Sequence, residues 1–565
     1  MTKSRKALAA AIVLAMLTSS LAACGQKSES SSTDSGEQSS STSTSSNAIA
    51  EPQVHTLKVL GPDPNNTYIK YSEREEYEVW GALQDMLAAN DLELELEVVP
   101  NDQYQVVIQT RMASSDLPDI SNVSAIDDAS LISLGKNGTI QEISGAIAEY
   151  SNGNIDRMYS EVYDTGYPLI KTAEGQIYWL TNLHKGNTFE GQEVPMGLGL
   201  QIRYDWLQKL GMEMPTTLDE FTEAIRAFRA NDVNGNGQQD EIILLDAQYF
   251  NNGMAQIFGL GNGIVALNPV DGKIVSPWYQ ENIKEYFTYV KSLIDEGLID
   301  ASTIGSWDLQ NLRLADNLVG SWFAYDSATY LNTYVTNGAE GVDYEPVFTL
   351  TDAVEGSEPW KELETPQLVW DRYCVTKACT DMEGAIKLFD MIYSDEYTAI
   401  LSWGIEGKDY EEVDGVRTSL IGGLSNEEKA QARRSTGSPL WGGILPRVQI
   451  GTAFNTEAEW RERLSSEKKT DIQIEALSRG VTYENWYPLM ISNFLAMATD
   501  EETETINQLQ TAIETYSDEM CLKLALGTES LDNFDTIFAE FEELGLKELI
   551  AIYQARCDCF VASQG

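Results

Sequence analysis

Strict alternation of apolar and acidic side chains marks one stretch of the sequence, Leu92-Glu93-Leu94-Glu95-Leu96-Glu97-Val98. Because successive side chains of a strand point to opposite faces of a sheet, this pattern predicts a half-buried β-strand. Apolar residues at helical spacing predict a helix over 75–90 before it and another over 102–112 after it. A strand over 56–60 precedes the first helix, and turn residues lead into a third strand at Ile120. This order of elements predicts an open α/β sheet, in which ligands sit at the carboxyl ends of the strands.

The N-terminus carries signals of export and lipid attachment. Three basic residues precede an apolar run over 7–17 that is too short to span a bilayer. The sequence Leu21-Ala22-Ala23-Cys24 then resembles a bacterial lipobox, which implies that residues 1–23 are a lipoprotein signal peptide and that Cys24 is acylated. An ordinary signal peptide followed by a coincidental cysteine is the alternative. Residues 24–52 are rich in Ser and Thr and are predicted to form a disordered tether.

Composition restricts the partners. The formal charge is −50, and it becomes −53 when the three basic residues of the signal are removed. Such a body repels nucleic acid and anionic lipid, so we expect contact with the membrane only through the lipid anchor. Five cysteines remain after Cys24, an odd number that leaves at least one thiol unpaired in a monomer. With only two histidines and no zinc-type spacing, a structural zinc site is not expected.

The loop 231–241 is predicted to bind a cation. Oxygen donors and two glycines crowd into eleven residues, and alternating side-chain oxygens with glycine at the bend are typical of a Ca²⁺ loop. The pattern departs from an EF-hand at its twelfth position, which is Ile243, so an acidic residue nearer the turn must take the bidentate role. A polar turn without metal is the alternative. The predicted ligands of a structural Ca²⁺ are Asp232, Asn234, Asn236, Gln238, Asp240 and Glu241.

Several motifs, in order along the chain, resemble those of one protein family. The stretch Ala113-Ser114-Ser115-Asp116-Leu117-Pro118-Asp119-Ile120 is followed by Pro215-Thr216-Thr217-Leu218-Asp219-Glu220, by Glu296-Gly297-Leu298-Ile299-Asp300 and by Gly404-Ile405-Glu406-Gly407. They are similar to elements of the extracellular solute-binding proteins of carbohydrate ABC importers, in the large lipoprotein branch with an EF-hand-like calcium loop that includes alginate-oligosaccharide-binding proteins. Thr217 and Glu220 also have the spacing of a helix capping box.

The resemblance implies a two-lobed, periplasmic-binding-protein-like type II fold of the α/β class, with a ligand cleft between the lobes. We expect one lobe to contain 53–165 plus 315–380, and the other to contain 166–314 plus 381–565. The implied function is capture of a carbohydrate, with an oligosaccharide favoured by the size of the chain and its many tryptophans. We expect delivery to the permease of an ABC transporter by a monomer held outside the cell by its lipid.

Aromatic faces and planar polar groups are the candidate ligand-binding residues. Trp322 and Trp441 are ranked first, because the resemblance and turn chemistry place them near the cleft. Arg203 and Asp205 are two apart on a presumed strand and are therefore expected on one face. The remaining candidates are Trp179, Trp370, Trp403, Tyr68, Asn122 and Arg372.

Two other classes of function stay open. A surface glycoside hydrolase or polysaccharide lyase needs a suitably spaced pair of carboxylates, which 88 acidic residues would supply by chance. The chain has no nucleophile elbow, no zinc-protease motif and no phosphate loop, so we do not expect an enzyme. A receptor for a peptide or another solute on the same fold is the third possibility, because fold alone does not fix the ligand.

Overall fold

A computed structural model of the protein describes most of the chain beyond the first 53 residues. Its described residues are 54–63, 71–114, 116–163, 166–172, 174–185, 188–189, 192–193, 199–244, 254–261, 263–268, 271–324, 341–347, 350–351, 353–354, 368–413, 416–421, 424, 426–434, 440, 443–450, 453–454, 474 and 495–563. The signal peptide, the tether, Cys24, Tyr68 and Trp441 lie outside these ranges.

The strands are short and are distributed along the whole chain. Their bounds are β1 His55–Asp63, β2 Leu92–Pro100, β3 Ile120–Asn122, β4 Leu180–Lys185, β5 Thr188–Phe189, β6 Gln192–Glu193, β7 Gly199–Arg203, β8 Ile242–Ile243, β9 Ala266–Leu267, β10 Ile274–Val275, β11 Val319–Ala324, β12 Tyr344–Pro346, β13 Leu368–Val375, β14 Tyr410–Val413, β15 Val416–Ser419, β16 Val448–Ile450 and β17 Ala453–Phe454.

The α-helices lie between and around these strands. Their bounds are α1 Glu78–Ala89, α2 Asn101–Ala113, α3 Asp128–Lys136, α4 Ser144–Tyr150, α5 Asn154–Arg157, α6 Gly166–Ile170, α7 Tyr204–Leu210, α8 Leu218–Ala230, α9 Met254–Ile257, α10 Ile283–Asp295, α11 Trp307–Ala315, α12 Met382–Ile392, α13 Asp395–Trp403, α14 Asn426–Gln431, α15 Asp500–Ala525, α16 Phe534–Glu543 and α17 Leu546–Ser563. Within the described ranges, no helix is long and apolar enough to cross a membrane.

The first sheet has six strands in the order β16-β4-β13-β3-β1-β2. β1 runs parallel to β2 and β3, whereas β13 runs antiparallel to β3 and β4. The alternating stretch at 92–98 lies in β2, and the two flanking helices are α1 and α2, so the predicted order of elements is confirmed. α1 belongs to this layer because Val79, Leu83 and Leu87 bury one face against the sheet.

The second sheet has four strands in the order β12-β7-β11-β8. α8 packs beside it and begins with the predicted capping box, in which Thr217 and Glu220 exchange hydrogen bonds. The helix ends at Ala230, and the cation loop leads from there into β8. The loop 231–241 therefore connects α8 to the edge strand of this sheet.

Two large hydrophobic clusters form the cores. One draws its buried residues from 57–183 and 373–448, and the other from 200–350 and 495–560. These limits differ from the predicted lobe boundaries. Residues 319–324 belong to the second sheet because β11 pairs with β7, and the buried face of α12 belongs to the first cluster. Which core each segment joins depends on strand pairing and helix packing between distant parts of the chain. The local sequence pattern does not show these contacts.

The cysteines of the described part are all unpaired thiols. Cys559 on α17 is exposed, and the other four are buried. Burial raises the pKa of the Cys374 thiol to about 12 and that of Cys379 to about 11.

Candidate functional site

Polar side chains gather where β3 meets the antiparallel strand β13. Asn122 is the last residue of β3 and is 1% exposed. Its Oδ1 accepts hydrogen bonds from the backbone N–H and the hydroxyl of Ser124, at 2.9 and 2.6 Å. The Ser124 Oγ in turn accepts one from the backbone N–H of Arg372 at 2.9 Å. Two predicted ligand-binding residues, Asn122 and Arg372, are thus joined through Ser124 at the carboxyl end of a parallel strand.

The segment 443–450 packs against the same strand ends. The Gly443 carbonyl accepts a hydrogen bond from Asn122 Nδ2 at 2.8 Å and one from the Tyr373 hydroxyl at 3.1 Å. The next residue, Ile444, lies against Gly61 of β1, where an added Cβ would stand 2.6 Å from the Ile444 Cα. Only glycine allows this close approach of the two backbones.

A second set of planar groups lies beside the first. Asn182 of β4 donates from Nδ2 to the Asp371 Oδ2 of β13 at 2.7 Å, and its Oδ1 accepts from the Arg447 backbone N–H at 2.8 Å. Leu183 closes the arrangement by donating its N–H to the Arg447 carbonyl at 2.8 Å. Asn122 and Asn182 are buried and hold their neighbours in place, whereas Ser124 and Asp371 are half-buried and can reach the hydroxyl groups of a ligand. We call Asn122, Ser124, Asn182 and Asp371 the strand-end cluster.

Sequence reasoning missed Asn182 and Asp371. They are far apart in the chain and meet only because β4 pairs with β13. A usable signal is present only for Asp371, which lies among mostly apolar residues of β13, whereas β4 is largely polar around Asn182.

Two buried tyrosines stiffen the strand-end cluster. Burial is the main cause that raises the pKa of Tyr104 and Tyr373 well above the ordinary value, and the Asp371 carboxylate adds to it. Both phenols therefore stay neutral and keep their O–H as a donor. The Tyr104 hydroxyl donates to the Asn122 carbonyl at 2.5 Å, which fixes the end of β3.

Arg203 and Asp205 do not share a strand face, so that prediction is wrong. β7 ends at Arg203 and α7 begins at Tyr204, with Gly211 ending the helix in the left-handed region. The Arg203 guanidinium donates from Nε and Nη2 to both oxygens of Asp205 at 2.7 Å. It is 3% exposed and lies 4.0 Å from the centre of the Trp206 ring. These contacts make the pair a structural ion pair beside the second core.

Most of the predicted aromatic residues are placed away from the strand-end cluster. Trp179 and Trp322 are each 2% exposed, and they lie in the first core and in a small cluster on the second sheet. Rings buried to this degree present no face to a ligand, so we leave both out of the candidate site. Trp403 is half-buried at the end of α13, with its ring 6.0 Å from that of Tyr410. Trp370 lies in β13, next to Asp371.

A separate cavity of about 620 Å³ lies between residues of the two cores. Its walls come from the turn at Tyr159, from α6 and from α17. The Tyr159 hydroxyl lies 3.0 Å from the Thr181 hydroxyl, whereas the next residue of β4, Asn182, turns to Asp371. Because neighbouring side chains of a strand point to opposite faces, the cavity and the strand-end cluster lie on opposite sides of β4.

The cation loop is closed by its own hydrogen bonds. Asp232 Oδ2 accepts from the Gly237 N–H at 3.0 Å, and Glu241 Oε1 accepts from the Asn234 N–H at 3.1 Å. Asn236 donates from Nδ2 to Asp240 Oδ1 at 3.0 Å. The predicted ligand residues are therefore folded around one turn.

Two carboxylate oxygens of this loop lack a donor. Asp232 Oδ1 and Glu241 Oε2 are buried and accept no hydrogen bond, and Glu241 is 1% exposed. A buried anionic oxygen without a partner is unfavourable, so this donor set fits a hard cation. Among the described residues, no three His, Cys, Asp or Glu lie close enough together to hold a metal. The amide and carbonyl oxygens of Asn234, Asn236 and Gln238 would have to complete the site.

Comparison with known proteins identifies similar chains. A sequence profile of the family described as bacterial extracellular solute-binding protein matches residues 78–399. The fructooligosaccharide ABC transporter substrate-binding protein FusA of Streptococcus pneumoniae is 26% identical over 473 residues, which cover 80% of this chain and 82% of FusA.

Solved structures share the fold. An EF-hand mutant of S. pneumoniae FusA in complex with fructo-nystose has a TM-score of 0.65 at 21% identity, over 90% of this chain and 100% of that one. The alginate-binding protein AlgQ2 without calcium ion has a TM-score of 0.62 at 18% identity, over 90% of this chain and 98% of that one. The α/β fold of these solute-binding proteins is therefore the fold of this chain.

Proposed function

This chain belongs to the bacterial extracellular solute-binding proteins, and from this premise we propose that it captures an oligosaccharide outside the cell for an ABC importer. The strand-end cluster carries the proposal, because it fixes the half-buried Ser124 and Asp371 beside the carboxyl end of β3. The similarity to FusA supports an oligosaccharide as the ligand. Closure of the two cores around the sugar, followed by presentation to a permease, would complete the transport step.

We propose a neutral sugar rather than an acidic one. Asp371 is a carboxylate within the strand-end cluster, and the whole chain carries a formal charge of −50. Both disfavour a uronate ligand, because like charges brought together without compensation repel.

Isothermal titration calorimetry with nystose and with an alginate oligosaccharide tests this proposal. We expect the wild type to bind nystose, and Asp371→Asn to weaken that binding by about tenfold, because hydrogen bonds to a charged group are worth about 1.5–3 kcal/mol. Asp85→Asn, an exposed carboxylate on α1, is the matched control and should bind like the wild type. Alginate binding alone would contradict a neutral ligand, and cleavage of either sugar would contradict a binding role without catalysis.

The N-terminal sequence supports export and lipid anchoring through Cys24. We propose that the protein acts as a monomer at the outer face of the cell membrane. Cys24→Ala should move it from the membrane fraction to the medium, which cell fractionation measures. Retention of that variant in the membrane fraction would contradict a lipid anchor.

The cation loop supports a structural Ca²⁺ site. The two buried oxygens without donors, Asp232 Oδ1 and Glu241 Oε2, are the observation on which this proposal rests. The likeness of fold to an EF-hand mutant of FusA and to AlgQ2 without calcium adds support. A bound Ca²⁺ would neutralise the loop carboxylates and fix the exit of α8 relative to β8.

A further inference from the structure

We propose that Asn317 is a positioning residue of the cation loop and couples cation binding to the junction of β7 and α7. The inference rests on Ca²⁺ binding by that loop, as proposed above. It adds a residue outside the loop that orients one of the predicted ligands. It also adds a path of hydrogen bonds through which cation binding in the loop affects the second sheet.

The first contact orients a predicted ligand. Asn234 donates from Nδ2 to the Asn317 carbonyl at 3.2 Å, and its Oδ1 accepts from the Asn236 N–H inside the loop at 2.9 Å. The amide of Asn234 is therefore held with its nitrogen outward and its oxygen toward the loop. Groups behind the direct ligands fix ligand orientation in this way, and their loss typically weakens metal binding by about 10–100-fold.

The backbone of Asn317 is shaped for this contact. Its φ is +58°, in the left-handed region that Asn tolerates better than most residues, and it follows the end of α11. The next residue, Leu318, accepts the Ile242 N–H at 2.9 Å. Asn317 is therefore fixed beside the strand that begins directly after Glu241.

The side chain of Asn317 connects the cation loop to Arg203 at the end of β7. Its Oδ1 accepts a hydrogen bond from Arg203 Nη1 at 2.5 Å, while the other donors of that guanidinium hold Asp205. Asp205 Oδ1 also accepts from the Asp343 N–H at 3.3 Å, and Tyr204 donates its N–H to the Asp343 carbonyl at 2.8 Å. An unbroken chain of hydrogen bonds thus runs from Asn234 to the point where β7 ends and β12 begins.

A second contact ties the loop to the same place. Lys209 of α7 donates from Nζ to the Val233 carbonyl inside the loop at 2.6 Å. The loop is therefore held at two points, at Val233 by Lys209 of α7 and at Asn234 through Asn317 by Arg203. Ordering of the loop by Ca²⁺ should consequently restrain this junction.

Calcium titration by isothermal calorimetry tests the positioning role. Asn317→Gly keeps the left-handed backbone and the carbonyl that holds Asn234 but removes the acceptor of Arg203. Without the hydrogen bond from Arg203 the Asn317 carbonyl no longer holds Asn234 in one orientation, so we expect calcium affinity to fall about tenfold. Asn317→Asp keeps an acceptor and should bind within about threefold of the wild type, or more tightly. Asp91→Gly, at another left-handed residue with φ +57°, is the matched control and should not change calcium affinity.

Hydrogen exchange of the Tyr204 and Asp343 amides tests the coupling. Calcium should slow their exchange in the wild type and in Asn317→Asp, but not in Asn317→Gly. If the wild type binds calcium, and Asn317→Gly matches it in calcium affinity and in hydrogen exchange, the role of Asn317 is overturned while the calcium site stands. A wild type that binds no calcium would overturn the calcium proposal and this inference together.

Discussion

Asp390 and Glu241 are two carboxylates that are each 1% exposed, yet their surroundings differ. Asp390 of α12 accepts hydrogen bonds from the Ser151 hydroxyl, the Asn154 amide and the N–H groups of Asn152, Asn154 and Ile155. Glu241 accepts one N–H, from Asn234, and its second oxygen accepts none.

The difference separates a structural carboxylate from a metal ligand. Desolvation of an anion has to be offset by donors or by a cation. Around Asp390 the protein supplies these donors itself, whereas around Glu241 it leaves an oxygen without one. The sequence already marks Glu241 as a candidate ligand by its place in the loop 231–241, and the structure adds that one of its oxygens lacks a donor.

The largest expected effect is at Asp390. Asp390→Ala removes the acceptor of five hydrogen bonds from residues 151–155, among them that of the buried Ile155 N–H, so we expect a loss of about 3–5 kcal/mol in the free energy of unfolding, with or without calcium. Urea denaturation measures this loss. Asp395→Ala removes an exposed partner of Arg157 and should cost less than about 1 kcal/mol. Equal costs for the two variants would contradict the structural role of Asp390.

Removal of calcium is expected to have the next largest effect. A ligand present at 100 times its Kd stabilises the native state by about 2.7 kcal/mol, so thorough treatment with EDTA should lower the melting temperature and calcium should restore it. Magnesium at the same concentration should restore less, because Mg²⁺ retains more of its water. An unchanged melting curve after chelation would contradict the calcium site.

Glu241→Gln should have opposite effects in the two states. Without calcium the variant removes a buried charge whose Oε2 has no donor, so its stability should equal that of the wild type or exceed it by about 1 kcal/mol. With calcium it loses a ligand, so the stabilisation by the ion should shrink. Glu223→Gln, an exposed residue of α8, is the control and should respond to calcium like the wild type. If Glu241→Gln changed the stability equally with and without calcium, Glu241 would be a structural carboxylate like Asp390 and not a metal ligand.

The smallest effect is expected at Glu220, an exposed carboxylate whose Oε2 accepts three hydrogen bonds. Hydrogen bonds from Thr216 and then Thr217 lower its pKa below the ordinary 4.5. A lowered folded-state pKa means that its contribution is complete above about pH 4.5 and is lost as the pH falls through the folded value. Glu220→Gln should cost about 0.5 kcal/mol at pH 7 and less at pH 3, as measured by urea denaturation. A cost that does not change with pH would contradict the charged cap.

Local patterns predicted local structure, and contacts across the chain decided the remainder. Leu92–Val98 and the capping box at Thr217 were predicted because alternation and spacing are properties of a few neighbouring residues. Asn182 and Asp371 were missed because their contact depends on the pairing of β4 with β13. Arg203 and Asp205 were assigned to one strand because the strand-to-helix change at Tyr204 has no strong sequence signal.

The cation loop is an intermediate case. Its alternating oxygen donors and two glycines predicted a loop that surrounds a cation, and that stays a prediction. Which carboxylate oxygens lack donors depends on side-chain orientation, and so does the contact with Asn317, 83 residues from Asn234.

The single exposed thiol of the described part has a practical consequence. In protein expressed from residue 25 onward, a maleimide dye should react with Cys559 and spare the four buried cysteines. Cys559 lies on the wall of the cavity between residues of the two cores, so the dye would sit where their relative movement changes its surroundings. The native sequence thus already carries an attachment point for a fluorescent reporter that would test the proposed closure around a sugar, without any engineered cysteine.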